Sequence, residues 1–153
     1  MHDGSEIVRK GNLVSFENDS CFVCGGNNPI GLHLHFYYDR DTRSASSSVT
    51  FKPEHVGWDD VVHGGILASV LDDVMAHSLF TLDFLGITTR INVTYREAVR
   101  VGELVYLEGT VGRIGSRTGD VSGSIYAVGE TGEKIIKCEA EGTYFLDRQN
   151  KNQ

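Results

Sequence analysis

At 153 residues, 40% of them hydrophobic, the chain suits one domain with a buried core and is too apolar for a disordered one. A formal net charge of −7 argues against general binding to nucleic acid, while leaving room for a local basic cluster to hold an anionic ligand. No apolar run reads as long enough to span a membrane, Met1-His2-Asp3-Gly4-Ser5-Glu6 lacks the apolar core of a signal peptide, and three cysteines make no disulfide framework, so a reducing, cytoplasmic setting is expected.

Residues 1–20 are polar with scattered apolar positions and read as an N-terminal arm; 21–153 read as a single domain. Cys21 to Gly31 is turn-rich by its Gly, Asn and Pro content. Leu32, Leu34, Phe36 and Tyr38 alternate with His33, His35 and Tyr37, which predicts a strand, and Ser47, Val49 and Phe51 predict a second after a turn at Asp39 to Arg43. Lys52 to Val62 reads as a loop containing Gly57-Trp58. A helix follows from about Gly64 to about Phe80, with Gly86 as its latest end. Ile66, Leu67, Val70, Leu71, Val74 and Met75 cover so wide an arc of it that it must be enclosed. Four more strands follow: one around Ile91, Val93 and Tyr95, then Leu104 to Ile114, Val121 to Val128, and Lys134 to Leu146. Short turns make these neighbours antiparallel, and one helix beside so many strands predicts an α+β domain in which a curved sheet wraps a single central helix. The sheet's edges then call for a second copy, so a homodimer is expected, with a dimer-of-dimers tetramer also allowed.

The residues with chemical potential gather at the helix. Gly64-Gly65 at its start let another molecule approach the backbone, where the first N–H groups are unpaired and lie at the positive end of the helix dipole. Two turns on come Asp72 and Asp73. An oxyanion-stabilising end with a nearby carboxylate is the equipment of a hydrolase. Asp72 projects near Ala68, Ala76 and Leu79 at the border of the apolar arc, whereas Asp73 precedes His77 by one turn, a spacing for a surface ion pair. From the residues alone both also read as solvated helix carboxylates. His63 reads first as a histidine that fixes the turn and second as a base; His55 reads as incidental. His33 and His35 share a strand face without a further ligand, and Cys21-x-x-Cys24 stands without a second pair, so turn packing is expected there and no metal. Cys138 reads as core. Trp58 and Phe84 are open between an acyl pocket and the core, with core favoured for Phe84.

The strand order together with His63-Gly64-Gly65, Asp72 nine positions after the histidine, Thr88, Asn92-Val93-Thr94-Tyr95 and Gly102-Glu103 resembles the hotdog-fold acyl-CoA thioesterases of the phenylacetate-pathway (PaaI-like) type. Cys21-x-x-Cys24-Gly25 through Asn28-Pro29-x-Gly31-Leu32 is typical of one branch, and the resemblance runs from Cys21 to Phe145. It implies that the N–H of Gly64 or Gly65 binds the thioester carbonyl and that Asp72 acts as nucleophile or general base. It further implies that Thr88 arrives from the other subunit, so that the site lies at a dimer interface. No cofactor is implied. Coenzyme A phosphates would need cations, for which Arg90, Arg96, Arg113 and Arg117 in or beside the later strands are candidates. Two departures stand out. Gly57-Trp58-Asp59-Asp60-Val61 lacks the amide side chain that some relatives carry before His-Gly-Gly, and Arg96-Glu97-Ala98 replaces a frequent proline. A non-catalytic acyl-CoA binding or sensing module is the alternative. A hotdog hydratase is disfavoured, because no Asp precedes Asn28-Pro29 and His33 in the required place.

Overall fold

A computed structural model describes residues 20–148; the expected arm lies outside the described residues except for Ser20. Among the described residues, eight strands and one α-helix run in the order β1 (Tyr37–Asp39), β2 (Ser44–Thr50), β3 (Val56–Trp58), β4 (Val61–Val62), α1 (Gly64–Ser78), β5 (Phe84–Tyr95), β6 (Leu104–Ile114), β7 (Thr118–Val128) and β8 (Lys134–Arg148). Six of the strands form one antiparallel sheet in the order β1-β2-β6-β7-β8-β5, and α1 packs across its inner face, the hotdog arrangement. β3 and β4 pair separately as a small hairpin where the sequence predicts only a loop, preceded by a short 3-10 turn at Pro53–His55.

Alternation in the sequence becomes the inner face of the sheet. Val105, Leu107 and Val111 of β6, Val121, Ile125 and Ala127 of β7, and Cys138, Ala140, Tyr144 and Leu146 of β8 are all buried. They meet Leu67, Val70, Leu71, Val74 and Met75 of the helix, each side chain contributing about 1.5–3 kcal/mol by burial. The helix can sit this close because small residues line up beneath it. The register pairs Ala45 with Gly109, Gly109 with Gly123, and Gly123 with Ala140. A Cβ at Gly109 would lie 2.6 Å from the carbonyl oxygen of Val74, and one at Gly123 2.7 Å from Met75 Cγ.

The structure corrects the strand expected at residues 32–38. Leu34, Phe36 and Tyr38 are buried and His33, His35 and Tyr37 exposed, as the alternation requires, but only Tyr37–Asp39 joins the sheet. Leu32 and Leu34 instead donate their N–H groups to the carbonyls of Phe22 and Val23 in the cysteine turn, and His33 takes a left-handed φ of 52°. The helix ends at Ser78, runs into a 3-10 turn at Leu79–Leu82, and stops at Asp83 with φ 60°. Gly86, expected as its outer limit, lies inside β5, where a Cβ would strike Leu79 Cδ1 at 2.3 Å. The helical stretch Gly64–Leu82 is, at 19 residues, long and apolar enough by composition to cross a membrane, against the expectation that no such run exists. In this fold it is the core helix, its apolar side chains covered by the sheet.

Candidate active site

His63 begins the helix. With φ −58° and ψ 129° it is the N-cap, and its ring Nδ1 accepts the N–H of Gly65 at 2.8 Å. A Cβ at Gly65 would stand 3.0 Å from that nitrogen, and one at Gly57 would stand 2.9 Å from His63 Cα, so both glycines make room for the cap. The expected donor pair is thereby split: the Gly65 N–H is occupied by His63, and the N–H of Gly64 has no partner among the described residues. Tyr95 Oη donates to the Gly64 carbonyl at 2.7 Å and lays its ring 3.4 Å from where a Gly64 Cβ would be. Burial raises the Tyr95 pKa, with help from Cys138, which keeps its hydroxyl a donor.

Asp72 lies two turns along α1, half-buried. Its Oδ1 accepts two hydroxyls, Thr88 Oγ1 at 2.7 Å and Tyr144 Oη at 2.8 Å; the same Tyr144 hydroxyl is 3.1 Å from the Asp72 carbonyl. The second carboxylate oxygen has no partner among the described residues. Tyr144 is fully buried, and desolvation followed by the Asp72 charge pushes its pKa upward, so it remains an O–H donor. The expectation that Thr88 comes from another subunit is corrected: Thr88 and Asp72 meet within one chain.

A β-bulge makes this contact. Along β5, Thr88 pairs with Tyr144 and Arg90 with Thr143, so Thr89 is the extra residue. Without it Thr88 would share a face with Arg90 and Asn92, pointing away from the helix. With it Thr88 faces inward together with Ile91, Val93 and Tyr95. Tyr144 was not singled out from the sequence because it reads as one more apolar position of a long strand. Only its register opposite Thr88 distinguishes it.

Asp73 turns to another side of the helix. His77 Nε2 lies 3.5 Å from its Oδ2, the expected pair, although both side chains are largely buried and not on the surface. Cys21 Sγ is 3.9 Å from Asp73 Oδ1, and Cys24 joins the same cluster. Burial, followed by the charge of Asp73, pushes the Cys24 thiol pKa up.

The other candidates are scattered. Arg96 is taken by Glu139 at 3.0 Å. Arg90, Arg113 and Arg117 are exposed and make no ion pair among the described residues. Trp58 is 77% exposed on β3 and fills no core, while Phe84 packs against the core beneath Arg148. His55 caps a local turn by accepting the Lys52 N–H at 3.0 Å, and the His33 ring reaches the Asn28 carbonyl. Cys138 is buried in β8 as expected.

The sequence pattern of the thioesterase superfamily matches residues 59–134, a span that includes His63, Asp72 and Thr88 and stops short of Tyr144. Among solved structures, the chain is similar to a thioesterase superfamily protein at TM-score 0.73 and 22% identity, covering 81% of this chain and 62% of that longer one. It is also similar to a hypothetical thioesterase from Streptococcus pneumoniae TIGR4 solved with coenzyme A, at TM-score 0.66 and 19% identity over 76% of this chain and 90% of that one. A third, an acyl-CoA thioesterase described as hexameric, aligns at TM-score 0.63 and 20% identity over 71% of this chain and 72% of its own. No curated protein matches the chain.

Proposed function

Starting from a hotdog-fold chain of the thioesterase superfamily, matched over residues 59–134, we propose that it hydrolyses acyl-CoA thioesters to free acid and coenzyme A. The observation that carries this reading is the Asp72 carboxylate. One oxygen is fixed by two hydroxyl donors, the exposed Thr88 and the buried Tyr144, and the other is left open at the sheet's edge. Such a group holds and deprotonates a water. The hydroxide attacks the thioester carbon, the carbonyl oxygen gathers negative charge, and collapse of the tetrahedral intermediate expels the coenzyme A thiolate, which recovers the proton from Asp72. The Streptococcus neighbour has also been solved as an Asp→Ala and a Thr→Ala variant sixteen positions apart, the separation of Asp72 and Thr88.

The oxyanion donor in this proposal is the N–H of Gly64, and it serves the neighbouring subunit. Gly64 and Asp72 are eight residues apart on one helix, about 12 Å along its axis. A chain of carboxylate, water, carbonyl and N–H, with contacts of about 3 Å each, reaches no further than about 9 Å. One thioester therefore draws Asp72, Thr88 and Tyr144 from one chain and Gly64 from a second. β5 is the place for that second copy. It is a twelve-residue strand paired on one side only, and it runs back along α1 with Thr88 beside Asp72 and Tyr95 beside Gly64. Dimerisation there brings the two half-sites together. Exposed Arg90, Arg113 and Arg117 remain for the coenzyme's phosphates, and the reaction needs no cofactor besides water.

Release of free thiol from a panel of aliphatic and aromatic acyl-CoAs tests the proposal. Gly64→Pro is the informative variant. It deletes one N–H at the first helical position, where proline fits, behind a residue whose ψ of 129° suits a following proline. Turnover should fall about 10²–10³-fold with acyl-CoA binding retained. Tight acyl-CoA binding by the unaltered protein with no thiol release from any substrate would instead leave the binding or sensing module.

A further inference from the structure

We propose that Cys21, Cys24, Asp73 and His77 form a site for a thiophilic divalent cation of the zinc class, which clamps the turn before β1 onto helix α1. The sequence alone shows only one Cys-x-x-Cys pair and no second pair to complete it. The fold supplies the second from 49 residues downstream: Asp73 and His77, one turn apart on one helix face, spaced as histidine pairs are in zinc sites. The sulfur atoms of Cys21 and Cys24 and a carboxylate oxygen of Asp73 all lie within 4.8 Å of one another. Zinc–sulfur bonds of about 2.3 Å and zinc–oxygen bonds of about 2.0–2.2 Å need these atoms only slightly closer.

Five further observations point to a cation rather than to packing. The Cys24 N–H is directed at Cys21 Sγ at 3.4 Å, and the Gly25 N–H closes the turn on the Cys21 carbonyl at 2.9 Å, which together hold both sulfurs on one side of the turn. Asp73 Oδ2 is buried without a hydrogen-bond partner. That oxygen stands 3.5 Å from His77 Nε2, about the separation of two ligands on one tetrahedral ion. The other ring nitrogen of His77 is held by Tyr38 Oη at 2.5 Å, which fixes the ring with its Nε2 edge toward Asp73. Phe36 stacks on the ring at 4.1 Å, fixing its plane and drying the site. Binding would release two thiol protons to solvent, and the bound ion would bridge two segments far apart in sequence. The site is separate from the Asp72 centre and stands whether or not the acyl-CoA reading does.

The test uses the full chain, purified reduced and without chelator, with metal content measured and with cobalt(II) titrated into the zinc-depleted protein. One zinc per chain and an intense thiolate-to-cobalt charge-transfer band are expected. Both should vanish in Cys24→Ser and in Asp73→Asn, and Tyr38→Phe should weaken zinc binding about 10–100-fold while leaving the cobalt band intact at saturation. The absence of zinc and of the band in the reduced, unaltered protein overturns the proposal whatever the variants do. So does binding that persists unchanged in Cys24→Ser, or a Cys21–Cys24 disulfide in a protein whose reduced form takes no metal.

Discussion

Replacing Asp72 with asparagine separates chemistry from folding. The amide carbonyl can still accept Thr88 Oγ1 and Tyr144 Oη, which now stand 2.7 and 2.8 Å from the carboxylate oxygen. The two bonds lose their ionic strengthening, and a half-buried charge no longer has to be desolvated. These changes oppose each other, so the folded state should lose about 1 kcal/mol or less. An amide cannot accept a proton from water, and a positioned general base contributes about 10²–10⁴-fold. At 1.36 kcal/mol per factor of ten that is about 3–5 kcal/mol of transition-state stabilisation, several times the expected effect on stability. Asp72→Ala should differ in kind. It leaves the Tyr144 hydroxyl, in a fully buried residue, with only the Asp72 carbonyl at 3.1 Å, and costs about 1–3 kcal/mol of stability as well as the activity. Thiol release per folded molecule, with urea unfolding on the same preparations, measures both quantities. Turnover by Asp72→Asn within threefold of the unaltered protein would refute the role of the carboxylate, and a loss in Asp73→Asn as large as in Asp72→Asn would refute its specificity.

Tyr144→Phe and Thr88→Ala each remove one donor from Asp72 Oδ1; each should cost turnover less than Asp72→Asn, with KM for acyl-CoA little changed, and a KM effect alone would place both residues in substrate binding. Gly109→Ala puts a methyl group 2.6 Å from the Val74 carbonyl oxygen, and the helix must lift from the sheet, so unfolding free energy should drop by about 1–3 kcal/mol in a urea titration. Burial pushes the Cys138 thiol from 9.0 to about 11. The unfolded chain therefore loses this proton first as pH rises, and the resulting contribution to stability declines from pH 9.0 to about 11; native Cys138 should also resist alkylation at about pH 8 until the protein is unfolded.

The helix was legible because its apolar positions cover a wide arc, and β6 because its alternation runs unbroken from Leu104 to Val111. Where the local pattern was equally clear but the partner was not local, the reading stopped short. Residues 32–36 alternate like a strand and are buried like one, yet their backbone hydrogen bonds go to the cysteine turn, which no periodicity reveals. The Asp72–Thr88 pair was legible only by resemblance, since a straight strand through Ile91, Val93 and Tyr95 points Thr88 outward and the bulge at Thr89 reverses it. Tyr144 lies 72 residues from Asp72, and Cys21 lies 52 from Asp73. Contacts of that separation are set by sheet order, which is why one donor and the second half of the cysteine cluster emerged only from the fold.

Subunit mixing tests the central claim most directly. Asp72 and Thr88 belong to one half-site and Gly64 to the other, so chains carrying Asp72→Asn and chains carrying Gly64→Pro, each inactive alone, should regain activity when unfolded together and refolded as mixed dimers. One of the two sites in each mixed dimer then has both halves intact. Asp72→Asn mixed with Thr88→Ala should regain no full-rate site, since both lesions fall in the same half-site and each mixed dimer then has one site without Asp72 and one without Thr88; the discriminating control is the double variant Asp72→Asn/Gly64→Pro mixed with unaltered chains. In that mixed dimer each site has lost one half, so activity should fall to the level of the unaltered dimers remaining in the mixture. Mixed dimers of the double variant that keep half of the unaltered activity would contradict the account, because each site would then be complete within a single chain.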